Sequence, residues 1–255
     1  MKKHPQHPVS IANDIVLIPG FMCDTFLWEL ILPDLQELGS VHFADLNHGD
    51  SIDAMALRII SELPSSCILI GFSLGGYVAR RIAVLAPEKI NQLVLLNTSA
   101  RATSQEEKNR NLQQIKMLKA FPYKGQTITA LKRALHPDNA DNTALLTKMQ
   151  NMSLALGREV FIRQLSLVRE DGYADFEKIL CPTLVVASRQ DQMRSLVESE
   201  NIVSALPHPT YHVLDQCGHM SPLEKPRELA KLLHSFITIE VTCPALSQQV
   251  PLRKY

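Results

Sequence analysis

The apolar positions along this chain change period again and again, and the changes outline its elements. Ile15-Val16-Leu17-Ile18 is a continuous, largely β-branched apolar run stopped by Pro19-Gly20, the pattern of a strand buried on both faces. From Thr25 to Leu38 the spacing turns helical, with Trp28, Ile31, Leu32, Leu35 and Leu38 on one stripe and Gly39 as the expected C-terminal stop. A short strand is expected at Val41-His42-Phe43. Ser51 can cap a helix carrying Ile52, Met55, Ile59, Ile60 and Leu63, which Pro64 and Ser65 end before Cys67-Ile68-Leu69-Ile70 starts a second buried strand. Leu74 to Leu85 is helical by pattern, and Leu93-Val94-Leu95-Leu96 is another strand.

The rhythm then changes. Between Arg101 and Asp171 only helical segments are expected, over Gln105 to Lys119, Thr127 to Leu135, Asn142 to Leu156 and Arg158 to Arg169. Alternation resumes with a strand at Thr183 to Ala187, a helix at Leu196 to Leu206, a strand at Tyr211 to Leu214 and a closing helix from Pro226 to Ile237. Strands alternating with helices predict an α/β fold with a mostly parallel central sheet flanked by helices. The expected organisation is one core built from residues 1–100 and 172–255, interrupted by an all-helical insertion over 101–171. The last ~15 residues read as a loosely attached tail.

Composition narrows the function classes. The chain has 255 residues, enough to bury a large core as one domain with an insertion. Lys+Arg and Asp+Glu both number 26, so no global charge draws it to nucleic acid or an anionic membrane. No run approaches the ~18 apolar residues of a membrane span. Met1-Lys2-Lys3 begins like a signal peptide, but Ile15 to Ile18 is too short for the apolar region one requires. The five cysteines (Cys23, Cys67, Cys181, Cys217, Cys243) are scattered without a C-x-x-C pair, which reads as free thiols in a reducing cytoplasm rather than a zinc or redox site. No metal constellation or dinucleotide fingerprint is present, and Gly71 to Gly76 lacks the lysine and spacing of a phosphate loop, so no cofactor is expected. Charge is uneven within the chain: the insertion holds 12 Lys+Arg against seven Asp+Glu. Such a surface is either simply solvated or attracts an anionic substrate or an acidic carrier protein.

The chemistry centres on Gly71-Phe72-Ser73-Leu74-Gly75, set between an expected strand and an expected helix. A serine hydroxyl is a weak nucleophile at neutral pH and needs a base within reach and donors for the oxyanion it creates. A glycine-flanked strand-to-helix turn leaves room for a strained backbone and aims the helix N-terminus at the reacting centre. The partners are expected in the order acid, then histidine. Asp191 follows the strand ending at Ala187, and His219 follows the strand ending at Leu214. Among other histidines, His4 and His7 lie in a Pro-rich terminus, His136 in the insertion and His208 in a turn. Asp215 competes for the acid role from the end of a strand, although four residues before His219 it more naturally accepts hydrogen bonds in a turn.

With these residues in order, the chain from Asp14 to Ile237 resembles the α/β-hydrolase superfamily. The resemblance rests on Ile18-Pro19-Gly20-Phe21, the serine turn, the acid position and Cys217-Gly218-His219-Met220-Ser221-Pro222-Leu223-Glu224, which is similar to the histidine loop of small bacterial esterases and lactonases. It implies the α/β-hydrolase fold, an oxyanion hole from the backbone amides of Phe21 and Leu74, and a helical cap over a substrate cleft. Many relatives have His-Gly where this chain has Pro19-Gly20. Met22 and Phe72 are expected to touch substrate, with Cys23 beside them; Met22 and Cys23 are equally suited to filling core. The activity implied is cleavage of a carboxylic ester, thioester or lactone, free or carrier-bound, through an acyl-Ser73 intermediate. The resemblance extends to pimeloyl-carrier methyl ester esterases and 3-oxoadipate enol-lactonases. Alternatives are a lyase similar to cyclohexadiene carboxylate synthase, with Arg158 and Arg163 either carboxylate clamps or, more in keeping with their type, surface residues, a carbon–carbon bond hydrolase, and a ligand-binding module without turnover.

Overall fold

The computed structural model describes residues 13–239; His4, His7, Cys243 and the expected C-terminal tail lie outside the described residues. The first strand, β1 (Asn13–Ile18), leads through a 3-10 turn at Thr25–Trp28 and α1 (Leu32–Gln36) to β2 (Gly39–Phe43). Then follow α2 (Ile52–Glu62), β3 (Cys67–Phe72), α3 (Leu74–Leu85) and β4 (Ile90–Leu96). Three helices come next, α4 (Gln105–Ala120), α5 (Ile128–Arg133) and α6 (Thr143–Ser166). The chain returns to the sheet with β5 (Thr183–Ser188), α7 (Leu196–Ala205) and β6 (Pro209–Leu214), and closes with α8 (Ser221–Glu224) and α9 (Pro226–Ile237).

The six strands form one sheet in the order β2-β1-β3-β4-β5-β6, with every pairing parallel. Alternate residues of the apolar runs feed two cores. Ile15, Leu17, Ile68, Ile70, Val94, Leu96, Leu184 and Val186 pack against Leu35 of α1 and Leu229, Leu233 and Phe236 of α9. Val16, Ile18, Leu69, Leu93, Leu95 and Val185 pack on the other face against Met55 and Ile59 of α2, Val78 and Ile82 of α3, and Ile202 of α7. Each fully buried aliphatic side chain contributes ~1.5–3 kcal/mol by leaving water.

Parallel register is what assembles a site here. Ile18 pairs with Gly71, Phe72 with Leu96, Leu96 with Val186, and Ser188 with Leu214. All the strands therefore end at one edge, and the loops after β1, β3, β4, β5 and β6 emerge side by side there, beyond the carboxyl ends where open α/β sheets bind ligands.

Two local expectations need correction. The stripe from Thr25 to Leu38 is not one helix: Asp24 accepts a hydrogen bond from the Phe26 amide and starts a separate 3-10 turn, and Pro33 lies in the first turn of α1. A helix running through Pro33 would lose an amide donor and crowd the carbonyl one turn back. Trp28, Ile31 and Leu35 are nonetheless fully buried, as the stripe requires. Gly39, expected to stop that helix, instead opens β2 opposite Asn13.

Between β4 and β5 the described residues hold helices and no strand. The segments expected over 142–156 and 158–169 run as one span, α6, kinked at Gly157, whose φ of +82° few other residues adopt. Leu131, Ala134, Leu135, Leu146, Met149 and Met152 of this region join the core cluster that contains Phe72 and Met220, so its underside faces the carboxyl edge of the sheet. No helix among the described residues is long and apolar enough to cross a membrane.

Candidate active site

Ser73 stands at the end of β3 with φ +50° and ψ −111°, a strained conformation for a residue with a Cβ. Its surroundings hold it there: its amide donates to Leu96 O (2.9 Å) and its carbonyl accepts from Thr98 Oγ1 (2.6 Å). Gly75 lets α3 begin against the end of β1, since a Cβ there would sit 2.3 Å from Ile18 O and 2.4 Å from Pro19 O. The Ser73 side chain does not cap α3. Its Oγ is left free for another partner, in front of the positive end of that helix.

That partner is His219. Ser73 Oγ donates to His219 Nε2 at 2.8 Å, and His219 Nδ1 donates to Asp191 Oδ2 at 2.7 Å. All three side chains are almost wholly buried. Burial works against ionisation of Asp191, but the attraction and hydrogen bond of His219 and the amides of Met193 and Arg194 outweigh it and hold the carboxyl below its ordinary range. The amides of Met193 (2.8 Å) and Arg194 (3.0 Å) donate to Oδ1, and Asn97 Nδ2 (3.1 Å) to Oδ2. An ionised carboxylate with its acceptor sites so filled can take only a proton-bearing Nδ1, which leaves Nε2 as the acceptor facing Ser73.

The competing acid lies elsewhere. Asp215 is exposed and pairs with Arg189 at the surface. His136 uses Nδ1 to accept from the Asp138 amide. Phe21 and Leu74 flank the front of Ser73, and no hydrogen bond among the described residues engages the amide of either. Met22 and Phe72 line the cavity in front of Ser73 and are buried, and the Phe72 ring lies 5.2 Å from that of His219. Cys23 lines it too, but burial pushes its thiol up to about 12, so it is protonated and unreactive at neutral pH. Arg158 and Arg163 do not line this cavity; they donate to the carbonyls of Phe121 and Asn47.

The cavity measures about 780 Å³ and runs from Ser73 outward beneath α4, α5 and α6. Met149, Met152, Phe161 and Leu165 make its apolar wall, and Arg110, Arg133 and Arg194 its polar mouth. Glu107 bridges Arg101 (2.5 Å) and Arg169 (2.9 Å), whereas Glu106, which also lines the cavity, is in no ion pair among the described residues. No carboxylate among the described residues pairs with Arg110, Arg133 or Arg194. Among the described residues no cluster of His, Cys, Asp and Glu could hold a metal ion.

Three supporting residues were given no role of their own in the sequence, although Glu224 closes the histidine-loop stretch. Asn97, at φ +45°, donates to Ser188 Oγ (2.8 Å) as well as Asp191 and accepts from Ser221 Oγ (2.6 Å), tying β5, the acid and the histidine loop together. Glu224 accepts from the amides of Gly218 (3.0 Å) and His136 (2.7 Å), fastening the histidine loop to the segment after α5. Gln164 reaches from α6 to the Met22 amide (2.8 Å). The one signal for Asn97 was its position directly after an apolar strand, on the edge where the other loops end; Gln164 carried none, being one polar residue on a helix.

Comparisons with known proteins bear on the family and the fold. The profile of the alpha/beta hydrolase family matches residues 15–232. The chain is 23% identical over 258 residues to a pimeloyl-[acyl-carrier protein] methyl ester esterase of Aliivibrio salmonicida, covering 90% of this chain and 94% of that one. A protein of the same name from Photobacterium profundum is 37% identical over 98 residues, 35% of this chain and about two-fifths (39%) of its own length. The enol-lactonase from Burkholderia xenovorans shares the fold with a TM-score of 0.77 at 19% identity, over 89% of this chain and 92% of that one.

Proposed function

The chain belongs to the alpha/beta hydrolase family, and from that premise we propose that it cleaves a carboxylic ester, thioester or lactone through an acyl-Ser73 intermediate. The observation that carries this reading is the hydrogen-bonded line from Ser73 Oγ through His219 to Asp191, at the head of a cavity with an apolar wall. Ser73 Oγ attacks the substrate carbonyl while His219 Nε2 takes its proton. The amides of Phe21 and Leu74 stabilise the oxyanion, and Asp191 stabilises the imidazolium formed beside it. His219 then gives the proton to the leaving group, and the process repeats with water to release the acid.

The helices over 101–171 act in this proposal as a cap, with Met22, Phe72 and the α6 side chains around the acyl group. Four of the cysteines, Cys23, Cys67, Cys181 and Cys217, are free thiols, in keeping with work in the reducing cytoplasm. A burst of one p-nitrophenol per chain from a p-nitrophenyl ester, with the acyl mass found on the peptide carrying Ser73, is the expected result. Turnover without any trappable acyl-serine would sink the covalent mechanism. For the lyase alternative, the two arginines suggested as carboxylate clamps, Arg158 and Arg163, are engaged away from the cavity.

Arg110, Arg133 and Arg194 at the mouth favour a substrate with an anionic outer end, free or carried on an acidic protein. Its Michaelis constant is expected to rise several-fold between ~50 and ~500 mM salt while that of a neutral ester stays level. Equal, flat responses for both esters would remove this electrostatic recognition.

A further inference from the structure

Gly20 to Cys23 form a tight turn closed by the Cys23 amide donating to Gly20 O (3.2 Å), with Phe21 and Met22 at its centre. Met22 sits at φ +52° in the third position of the turn, where glycine or asparagine is usual. A methionine there needs outside support.

The support comes from the cap. Gln164, 4% exposed, accepts from the Met22 amide through Oε1 (2.8 Å) and donates through Nε2 to Leu46 O (3.1 Å) in the β2–α2 loop. One end meets an N–H and the other a carbonyl, so the amide has a single satisfied orientation. Phe161 and Leu165, on either side of Gln164 in α6, enclose the Met22 side chain. If the Phe21–Met22 peptide turned over, the Phe21 carbonyl would face Gln164 Oε1, acceptor against acceptor, and a negative dipole would enter the front of the site.

We infer that Gln164 is a positioning residue: by holding the Met22 amide it fixes the central peptide of the Gly20–Cys23 turn, and the turn so held presents the Phe21 amide, which lies one peptide earlier, to the oxyanion hole only while α6 is seated on the core. This rests on the acyl-Ser73 reading. Cap docking then does more than enclose substrate. It completes the hole.

Gln164→Met, similar in volume and unable to make either bond, is the test, with Gln164→Leu as the second variant should the first not accumulate. Amide exchange across Gly20 to Asp24 reads the clamp without reference to activity, and is expected to quicken at least about tenfold. For a p-nitrophenyl ester kcat is expected to fall ~10- to 100-fold with KM within about threefold. Phenylboronic acid, whose tetrahedral serine adduct fills the hole, is expected to lose affinity by a similar factor. The acid limb of the pH profile stays in place. Unchanged exchange, or a loss confined to KM, overturns the inference. A wild-type protein with neither turnover nor boronate binding overturns the acyl-serine reading instead, and the exchange measurement then still decides the clamp.

Discussion

Replacing Ser73 with alanine is expected to lower kcat/KM for esters by about 10⁴- to 10⁶-fold and to abolish the burst. The loss is that large because Ser73 Oγ is the group hydrogen-bonded to His219 Nε2 among the described residues. Cys23 is a thiol lining the cavity, and burial keeps it protonated, with a pKa pushed up to about 12. The fold is expected to survive, since Ser73 Oγ bonds His219 alone while the strained backbone is held by Leu96 O and Thr98 Oγ1. A melting temperature within a few degrees of wild type would confirm that catalysis, not folding, was lost. Activity retained within tenfold would move the chemistry away from Ser73.

Asp191→Asn is expected to cost about 10⁴-fold in kcat. The reason is specific to the partners of this carboxylate. Oδ1 accepts from the amides of Met193 and Arg194, so the asparagine oxygen must take that position, which leaves its NH₂ facing His219 Nδ1 and Asn97 Nδ2. His219 can answer only by moving its proton to Nε2, where it can no longer accept from Ser73. Asp215→Asn, breaking an exposed pair with Arg189, is expected to leave kcat within about threefold. Comparable losses in both variants would overturn the choice of acid.

The same substitution has a pH signature. The Asp191 carboxyl is held below its ordinary range in the folded protein. Its stabilising contribution is therefore complete above the unfolded carboxylate pKa of ~3.9 and disappears as pH falls through the lower folded value. The stability difference between wild type and Asp191→Asn is expected to be level through neutral pH and to narrow only below about pH 4, read from denaturant midpoints.

Much of the fold was legible because burial imposes periodicity. Ile15 to Ile18, Cys67 to Ile70 and Thr183 to Ala187 are apolar without alternation because both faces of the sheet are covered, and each lies in a strand. The break between 156 and 158 was legible too, since Gly157 is the residue that a positive φ demands. Where local chemistry competed with the pattern, the pattern misled: the stripe after Thr25 kept its buried face, but Asp24 and Pro33 divided the helix.

The alternation of strand and helix, the glycine-flanked serine and the order of Ser73, Asp191 and His219 are local or sequential features, and the sequence alone determined them. The family follows from the same features. Only the tertiary structure decided which carboxylate meets the histidine, because Asp191 and Asp215 both end strands and differ in where the parallel register delivers them. Only it revealed Asn97, Glu224 and Gln164, whose partners lie up to 142 residues away. A hydrogen bond across that distance leaves no periodicity behind; it exists only once the strands have brought their ends to one edge and the helices have closed over them.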